Sequence, residues 1–198
     1  MKRGWVVGYE DETWWSRLKQ PNLHSWSEEG GELRLLELER DKKEEDPVAL
    51  CCYGLIRRES GKIGGMMLRF VEGRAVSGVT VDYLEWVCEC LAEEGKRVLL
   101  LIWDNASWHV SKEVRAWIRS HNQAARLVQK QGGCAVRIMP FWLPVKSPWL
   151  NAIEPKWLHG KKAIVEPRRR LSSDEVRTRV YAYFRCKPLQ PLIQKKQP

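Results

Sequence analysis

The chain has 198 residues, of which 43% are hydrophobic and 30% are charged, with a formal net charge of +9. This composition predicts one packed domain and excludes a wholly disordered chain. The longest uninterrupted apolar run, Val98–Trp103, is far shorter than the roughly 20 residues that cross a bilayer. The first residues also reach acidic side chains before any signal-type apolar stretch. We therefore expect a cytoplasmic protein and not a membrane or secreted one.

Charge is distributed unevenly along the chain. Residues 1–95 contain 13 basic and 19 acidic side chains, a net charge of −6, and residues 96–198 contain 21 basic and 6 acidic ones, a net charge of +15. Such asymmetry is typical of a surface that binds a polyanion, although a solvated basic face is the alternative. The basic half also contains six tryptophans, and we expect one or two of them to contact DNA. The basic residues predicted to bind DNA are Lys146, Lys156, Lys161, Lys162, Arg168, Arg169 and Arg170.

The first half of the chain predicts mostly strands. Residues 5–9 predict a short buried strand that ends at the acidic residues 10–12, and residues 13–33 predict a loop. Residues 33–71 then resemble an antiparallel meander, with strands expected at 33–38, 48–56 and 62–71.

The second half predicts alternating helices and strands. One helix is capped by Thr80 and stops at Gly95, a second is capped by Ser111 and stops at Gly132, and a third opens with the capping box of Ser172 and Glu175. Between them lie apolar strands at 98–103 and 135–139. The last residues, 186–198, predict a flexible tail. This order predicts a mixed sheet flanked by helices.

Three acidic residues stand in distinctive places. Asp11 follows the first strand, Asp104 follows the most apolar strand, and Glu154 lies near a helix entrance because Pro155 is tolerated only in a first turn. Several carboxylates in one small volume must take up protons or bind a cation, and hard oxygen ligands select Mg²⁺ or Mn²⁺. Taken singly, an Asp after a strand is more often a turn former or a helix cap. Residue types alone therefore leave their convergence open.

Two longer motifs indicate a family. The segment Leu101–His109, which contains Trp-Asp-Asn-Ala, resembles the second-aspartate motif of bacterial insertion-sequence transposases of the mariner superfamily. The segment Leu143–Trp157 resembles their third-acid motif, a Leu-Pro…Ser-Pro…Leu-Asn-Pro-Ile-Glu…Trp pattern, with Ala152 in place of the proline before Ile-Glu. Residues 10–13 resemble the first-aspartate segment.

The resemblance implies an RNase H-like α/β domain over residues 1–185, with an antiparallel meander and parallel strands in a five-stranded sheet. It implies that Asp11, Asp104 and Glu154 form a DDE triad that ligates two Mg²⁺ or Mn²⁺ ions. The implied reaction is cleavage of double-stranded DNA at transposon ends, followed by joining of the 3′-hydroxyl to target DNA. Further motif positions, expected to support the site or to contact DNA, are Asn105, His109, Ser147 and Asn151.

The resemblance also sets expectations about assembly. We expect a homodimer on DNA and a location at the bacterial nucleoid. Family members usually carry helix-turn-helix domains ahead of the catalytic core, and because Asp11 is almost at the start, we expect that half to be missing here. Two alternatives stay open: a non-catalytic DNA-binding remnant, and an RNase H-like nuclease that acts on another nucleic acid.

Overall fold

The structure is a computed structural model that describes residues 4–17, 25–26, 32–33, 44–59, 61–164 and 170–194. The strands, in chain order, are β1 (Trp5–Ser16), β2 (Ser25–Trp26), β3 (Glu32–Leu33), β4 (Ala49–Glu59), β5 (Lys62–Glu72), β6 (Val98–Trp103), β7 (Arg137–Trp142) and β8 (Leu192–Ile193). The helices are α1 (Ser77–Glu93), α2 (Lys112–Lys130), α3 (Glu154–Ile164) and α4 (Ser173–Phe184), and a single 3₁₀ turn spans Pro148–Leu150.

Six strands form one mixed sheet in the order β7-β6-β1-β4-β5-β8, and β2 pairs with β3 separately. The pairs β1–β4 and β4–β5 are antiparallel, whereas β1–β6 and β6–β7 are parallel. The predicted α/β fold with a meander and parallel strands is therefore confirmed. The antiparallel part is formed by β1, β4 and β5. Of the strand predicted at 33–38, Leu33 lies in β3 and the remaining residues lie outside the described part of the chain.

The sheet is covered by helices on both faces. Residues from α1 and α2, such as Leu84 and Ile118, pack with Leu99 and Trp103 of β6 into one apolar core. Residues from α3 and α4 pack with the opposite face of β4 and β5 into a second core. Because successive side chains of a strand point to opposite faces, the side chains of β1 are divided between these two layers.

The sequence-based boundaries of β1 and α1 are wrong. The strand predicted at 5–9 continues to Ser16 because the segment from Glu10 to Ser16 pairs with β4 and Trp15 is buried in the second core. The acidic residues 10–12 therefore lie inside β1 and not after it. Helix α1 begins at Ser77, one turn before Thr80, whose Oγ1 instead donates to the Val76 carbonyl oxygen at 3.1 Å.

The predicted flexible tail also differs from the structure. Leu192 and Ile193 pair in parallel with Val71 and Glu72 of β5, which makes β8 a sixth strand where five were expected. Burial of Leu192 in the first core explains why this segment packs.

The predicted helix starts at Ser111 and at Ser172 are confirmed, since both hydroxyls accept backbone N–H bonds and Glu175 completes the capping box. No helix in the part of the chain that the structure describes is long and apolar enough to cross a bilayer.

Candidate active site

The structure brings the three predicted acids to one edge of the sheet. Asp11 lies within β1, Asp104 directly follows β6, and Glu154 is the first residue of α3. Strands β1 and β6 are parallel neighbours, with Tyr9 opposite Ile102. The same register places Asp11 beside Asp104, just beyond the carboxyl end of β6, which is where ligands usually bind in open α/β sheets.

All three carboxylates line a pocket of about 290 Å³. The pocket is also lined by four other residues that the sequence singled out: Asn105, Lys146, Ser147 and Asn151. A second cleft, of about 370 Å³, shares Asp11 and Glu154 with this pocket and extends along Trp14 and Lys161. The acids therefore stand between two open clefts, which leaves room for an extended substrate to approach them.

The surroundings of Asp11 raise its pKa strongly. Burial, the charge of Glu154 and the charges of Glu12 and Asp104 raise the pKa of Asp11 from 3.8 to about 8. One favourable partner is the indole N–H of Trp157, whose Nε1 donates to Asp11 Oδ2 at 3.0 Å. Burial and then these like charges therefore favour the protonated form of Asp11 near neutral pH.

Two asparagine side chains fasten the segments that carry the site. Asn151, which is 2% exposed, donates from Nδ2 to the Glu10 carbonyl oxygen at 2.9 Å and so ties the start of α3 to β1. Asn105 donates from Nδ2 to the Leu143 carbonyl oxygen at 2.6 Å and ties the segment after β6 to the segment after β7. These bonds give both predicted asparagines a positioning role.

His109 stands behind Asp104 and does not line the pocket. Its Nδ1 lies 2.8 Å from Asp104 Oδ1, and its Nε2 lies 3.1 Å from Glu12 Oε1 and 3.3 Å from Glu10 Oε2. The ring is fully buried and stacks on Trp103 at a centroid distance of 4.5 Å. His109 therefore joins one predicted metal ligand to two carboxylates on the other face of β1.

The charge of His109 depends on the carboxyl groups that surround it. Burial by itself would lower the pKa of His109, but Glu10, Glu12 and Asp104 outweigh burial and raise it to about 11. The resulting imidazolium donates to Asp104, and chiefly this hydrogen bond holds the pKa of Asp104 below its usual value. Asp104 thus remains ionised under conditions in which Asp11 is protonated.

Two groups of the described side chains have the chemistry to hold a cation. Nε2 of His109 and one oxygen each from Glu10 and Glu12 lie within 4.8 Å of one another, but the imidazolium already supplies a positive charge there. The pocket of Asp11, Asp104 and Glu154 instead offers carboxylate oxygens from all three acids. Carboxylate oxygens are the ligands that Mg²⁺ and Mn²⁺ prefer, and such an ion would neutralise the like charges that, after burial, raise the pKa of Asp11.

The predicted DNA-binding residues fall into four groups. Lys146, Lys156 and Lys162 are exposed, whereas Lys161 lines the second cleft. Arg170 is largely covered and its Nη1 donates to Glu44 Oε2 at 2.7 Å. Arg168 and Arg169 lie outside the described residues.

Sequence reasoning missed Glu10, Glu12 and the hydrogen bond from Trp157. The sequence contained a signal for Glu10 and Glu12. They flank Asp11, and in a strand such neighbours point to the opposite face. The sequence interpretation ended the strand before these acids, so the alternation was not applied to them. Trp157 is also a core residue, since it is only 2% exposed.

Comparison with known proteins agrees with this geometry. Residues 7–177 match the family model described as DDE superfamily endonuclease. No curated protein sequence matches the chain.

Among solved structures, a Mos1 transposase paired-end complex with the left transposon end is similar, with a TM-score of 0.57, 16% identity, and coverage of 93% of this chain and 48% of that chain. A Mos1 mariner paired-end complex with Mn is similar with a TM-score of 0.55, 14% identity, and coverage of 93% and 49%. A Mos1 paired-end complex with Mg has a TM-score of 0.52, 15% identity, and coverage of 91% and 47%. This chain therefore spans about half the length of these transposase chains and shares their fold.

Proposed function

The chain belongs to the DDE superfamily endonuclease family, and we propose that it is the catalytic domain of a DNA transposase. In this proposal it hydrolyses a phosphodiester bond at a transposon end and then joins the freed 3′-hydroxyl to target DNA. The observation that carries the proposal is the convergence of Asp11, Asp104 and Glu154 on one pocket. The similar Mos1 structures are complexes that hold a transposon end, Mn or Mg, which supports DNA and divalent cations as the ligands of this chain.

Asp11, Asp104 and Glu154 would hold two Mg²⁺ or Mn²⁺ ions through their carboxylate oxygens. When bound, such a pair supplies an activated water or 3′-hydroxyl and stabilises the leaving oxygen of an in-line displacement. Neighbouring residues of the chain would hold the three carboxylates in position. Trp157 orients Asp11 through its indole N–H, and the His109 imidazolium fixes and ionises Asp104.

The basic residues would hold the DNA backbone beside this pocket. Lys146 lines the pocket, and Lys161 lines the adjoining cleft, so both lie on the path of a strand whose phosphate reaches the carboxylates. Contacts of this kind position DNA without reading its sequence and weaken as salt rises. We further propose that two copies act together on paired DNA ends, as the paired-end arrangement of the similar Mos1 structures suggests.

The test is nicking of supercoiled plasmid DNA in Mg²⁺ or Mn²⁺. The protein should nick the plasmid, and Asp104→Asn, Glu154→Gln and addition of EDTA should each abolish nicking. Asp174→Asn, the same substitution on an exposed carboxylate of α4, should leave nicking unchanged and serves as the matched control.

Nicking that persists in EDTA or in both site variants would refute the metal-dependent assignment. DNA binding without nicking or cation binding would instead indicate the non-catalytic remnant. A titration of DNA affinity against salt would separate these results from a preparation that fails to bind DNA at all.

A further inference from the structure

The segment between β7 and α3 carries an exposed apolar surface beside the acidic pocket. Three apolar side chains within a stretch of six residues are exposed: Val145 at 74%, Trp149 at 73% and Leu150 at 47%. Trp149 makes no ring–ring or cation–ring contact with any of the residues that the structure describes. A tryptophan with so much free surface gains free energy when a partner covers it.

This surface is held in place by hydrogen bonds at both ends. The Leu143 carbonyl oxygen accepts from Asn105, and Asn151 donates to the Glu10 carbonyl oxygen of β1. Between them, the Leu150 N–H donates to the Ser147 carbonyl oxygen at 3.1 Å and closes the 3₁₀ turn that carries Trp149. The indole therefore projects from an anchored segment, and a ligand would not have to order this backbone on binding.

The position of Trp149 relative to the acids indicates which kind of ligand would cover its ring. Ser147 and Pro148 precede it and line the pocket, and Asn151 and Glu154 follow it and line the same pocket. A nucleotide whose phosphate lies on the carboxylates therefore places its neighbouring base at this rim. Lys146, exposed beside the rim, adds a positive charge that suits a nucleic acid strand better than an apolar protein surface.

We propose that Trp149, flanked by Val145 and Leu150, is a stacking surface for an unpaired nucleobase next to the scissile phosphate. This inference rests on the proposed function, because it takes the strand in the pocket to be DNA. Bases inside a duplex have both faces covered by their neighbours, so only a frayed, flipped or single-stranded base offers a free face to an indole. Stacking accepts any base, so the surface contributes affinity without sequence preference.

The test compares two DNA ligands that differ only in their bases. Both are duplexes with a short single-stranded tail, which consists of thymidines in one ligand and of abasic spacers in the other, so their phosphate charge is equal. Affinity is measured by fluorescence anisotropy in EDTA, where no strand is cut. The proteins are the wild type, Trp149→Ala, Trp149→Phe and the control Tyr183→Ala, which removes an exposed ring on α4.

The wild type should bind the thymidine tail about tenfold more tightly than the abasic tail, as expected for one base stacked on an aromatic ring. Trp149→Ala should lose this preference and bind both ligands with the abasic affinity. Trp149→Phe should retain most of the preference, and Tyr183→Ala should retain all of it. Thermal unfolding of Trp149→Ala should match the wild type, because the exposed ring contributes little to folding.

A tail preference that survives in Trp149→Ala would overturn the inference. So would a change in the sedimentation of the free protein on Trp149→Ala with the tail preference unchanged, because the rim would then be a contact between two copies of the chain. The measurement does not depend on catalysis. A wild-type protein that nicks plasmid but shows no tail preference counts against this surface alone, whereas a wild-type protein with the tail preference but without nicking counts against the proposed function alone.

Discussion

Replacing Asp11 by asparagine should stabilise the metal-free protein at pH 8. The folded protein holds a proton on Asp11 up to about pH 8, whereas the unfolded chain releases it near 3.8, the ordinary pKa of this residue. The contribution of Asp11 to stability is therefore lost as the pH rises between these two values. An asparagine side chain would keep the shape of the aspartate and accept the Trp157 N–H, but it carries no charge to repel Glu154.

The size of this effect follows from the pKa shift. At about 1.36 kcal/mol for each pH unit, a rise from 3.8 to about 8 sets a ceiling of about 6 kcal/mol on the penalty. The pocket is open to water and its side chains can relax, so we expect about 2 kcal/mol to be realised. For a protein of this size, that difference moves the unfolding midpoint by about 4–8 °C.

Differential scanning calorimetry at pH 4 and pH 8 measures the prediction directly. Asp11→Asn should match the wild type at pH 4 and unfold at a higher temperature at pH 8, and Mg²⁺ or Mn²⁺ should stabilise only the wild type. Asp174→Asn controls for the same substitution on an exposed carboxylate. An Asp11→Asn protein that is no more stable at pH 8, and that gains as much from Mn²⁺ as the wild type does, would refute the reasoning.

Three other perturbations test the contacts around the site. Gly54→Ala adds a Cβ that collides with the ring of Trp157, so urea unfolding should give a loss of about 1–3 kcal/mol, and an unchanged midpoint would contradict this packing. His109→Leu removes the cation between buried carboxylates, which should lower the free energy of unfolding by about 3–5 kcal/mol in the same assay. Adding Glu10→Gln should restore part of that loss. A double variant that is no more stable than His109→Leu would contradict the ion pairing. Below pH 8, calorimetric titration should give a Mn²⁺ affinity that rises about tenfold per pH unit as the proton leaves Asp11, and a flat profile would argue against the raised pKa.

The motifs predicted which acids converge because each motif contains its own positioning groups. Asn105 follows Asp104 directly and Asn151 precedes Glu154 by three residues, and these two asparagines make the backbone bonds that draw the segments together. A short stretch of sequence therefore carried both a carboxylate and the group that places it. The helix starts at Ser111 and Ser172 were predictable for the same reason, since a cap and its helix are adjacent in the chain.

Features that depend on distant partners could not be read from the sequence. The extension of β1 to Ser16 requires β4 beside it, and β8 requires the free edge of β5. Likewise, nothing local to Arg170 indicates that Glu44, 126 residues away, would pair with it. Long-range pairing overrides local turn signals and charge patterns in such segments.

Because side chains alternate along β1, the acidic residues on its two faces have different electrostatic partners. Glu10 and Glu12 face His109, whose imidazolium is part of the chain and attracts both side chains, although burial and then the charge of Glu12 still raise the pKa of Glu10 well above its usual value. Asp11 faces Glu154, whose like charge helps to raise the pKa of Asp11 until a proton takes the place of a cation. Because the hydrogen bond from His109 lowers the pKa of Asp104, the pocket keeps the Asp104 carboxylate charged when Asp11 is protonated. If Asp11 and Asp104 hold a cation as proposed, its binding would displace the Asp11 proton and would therefore strengthen as the pH rises towards 8.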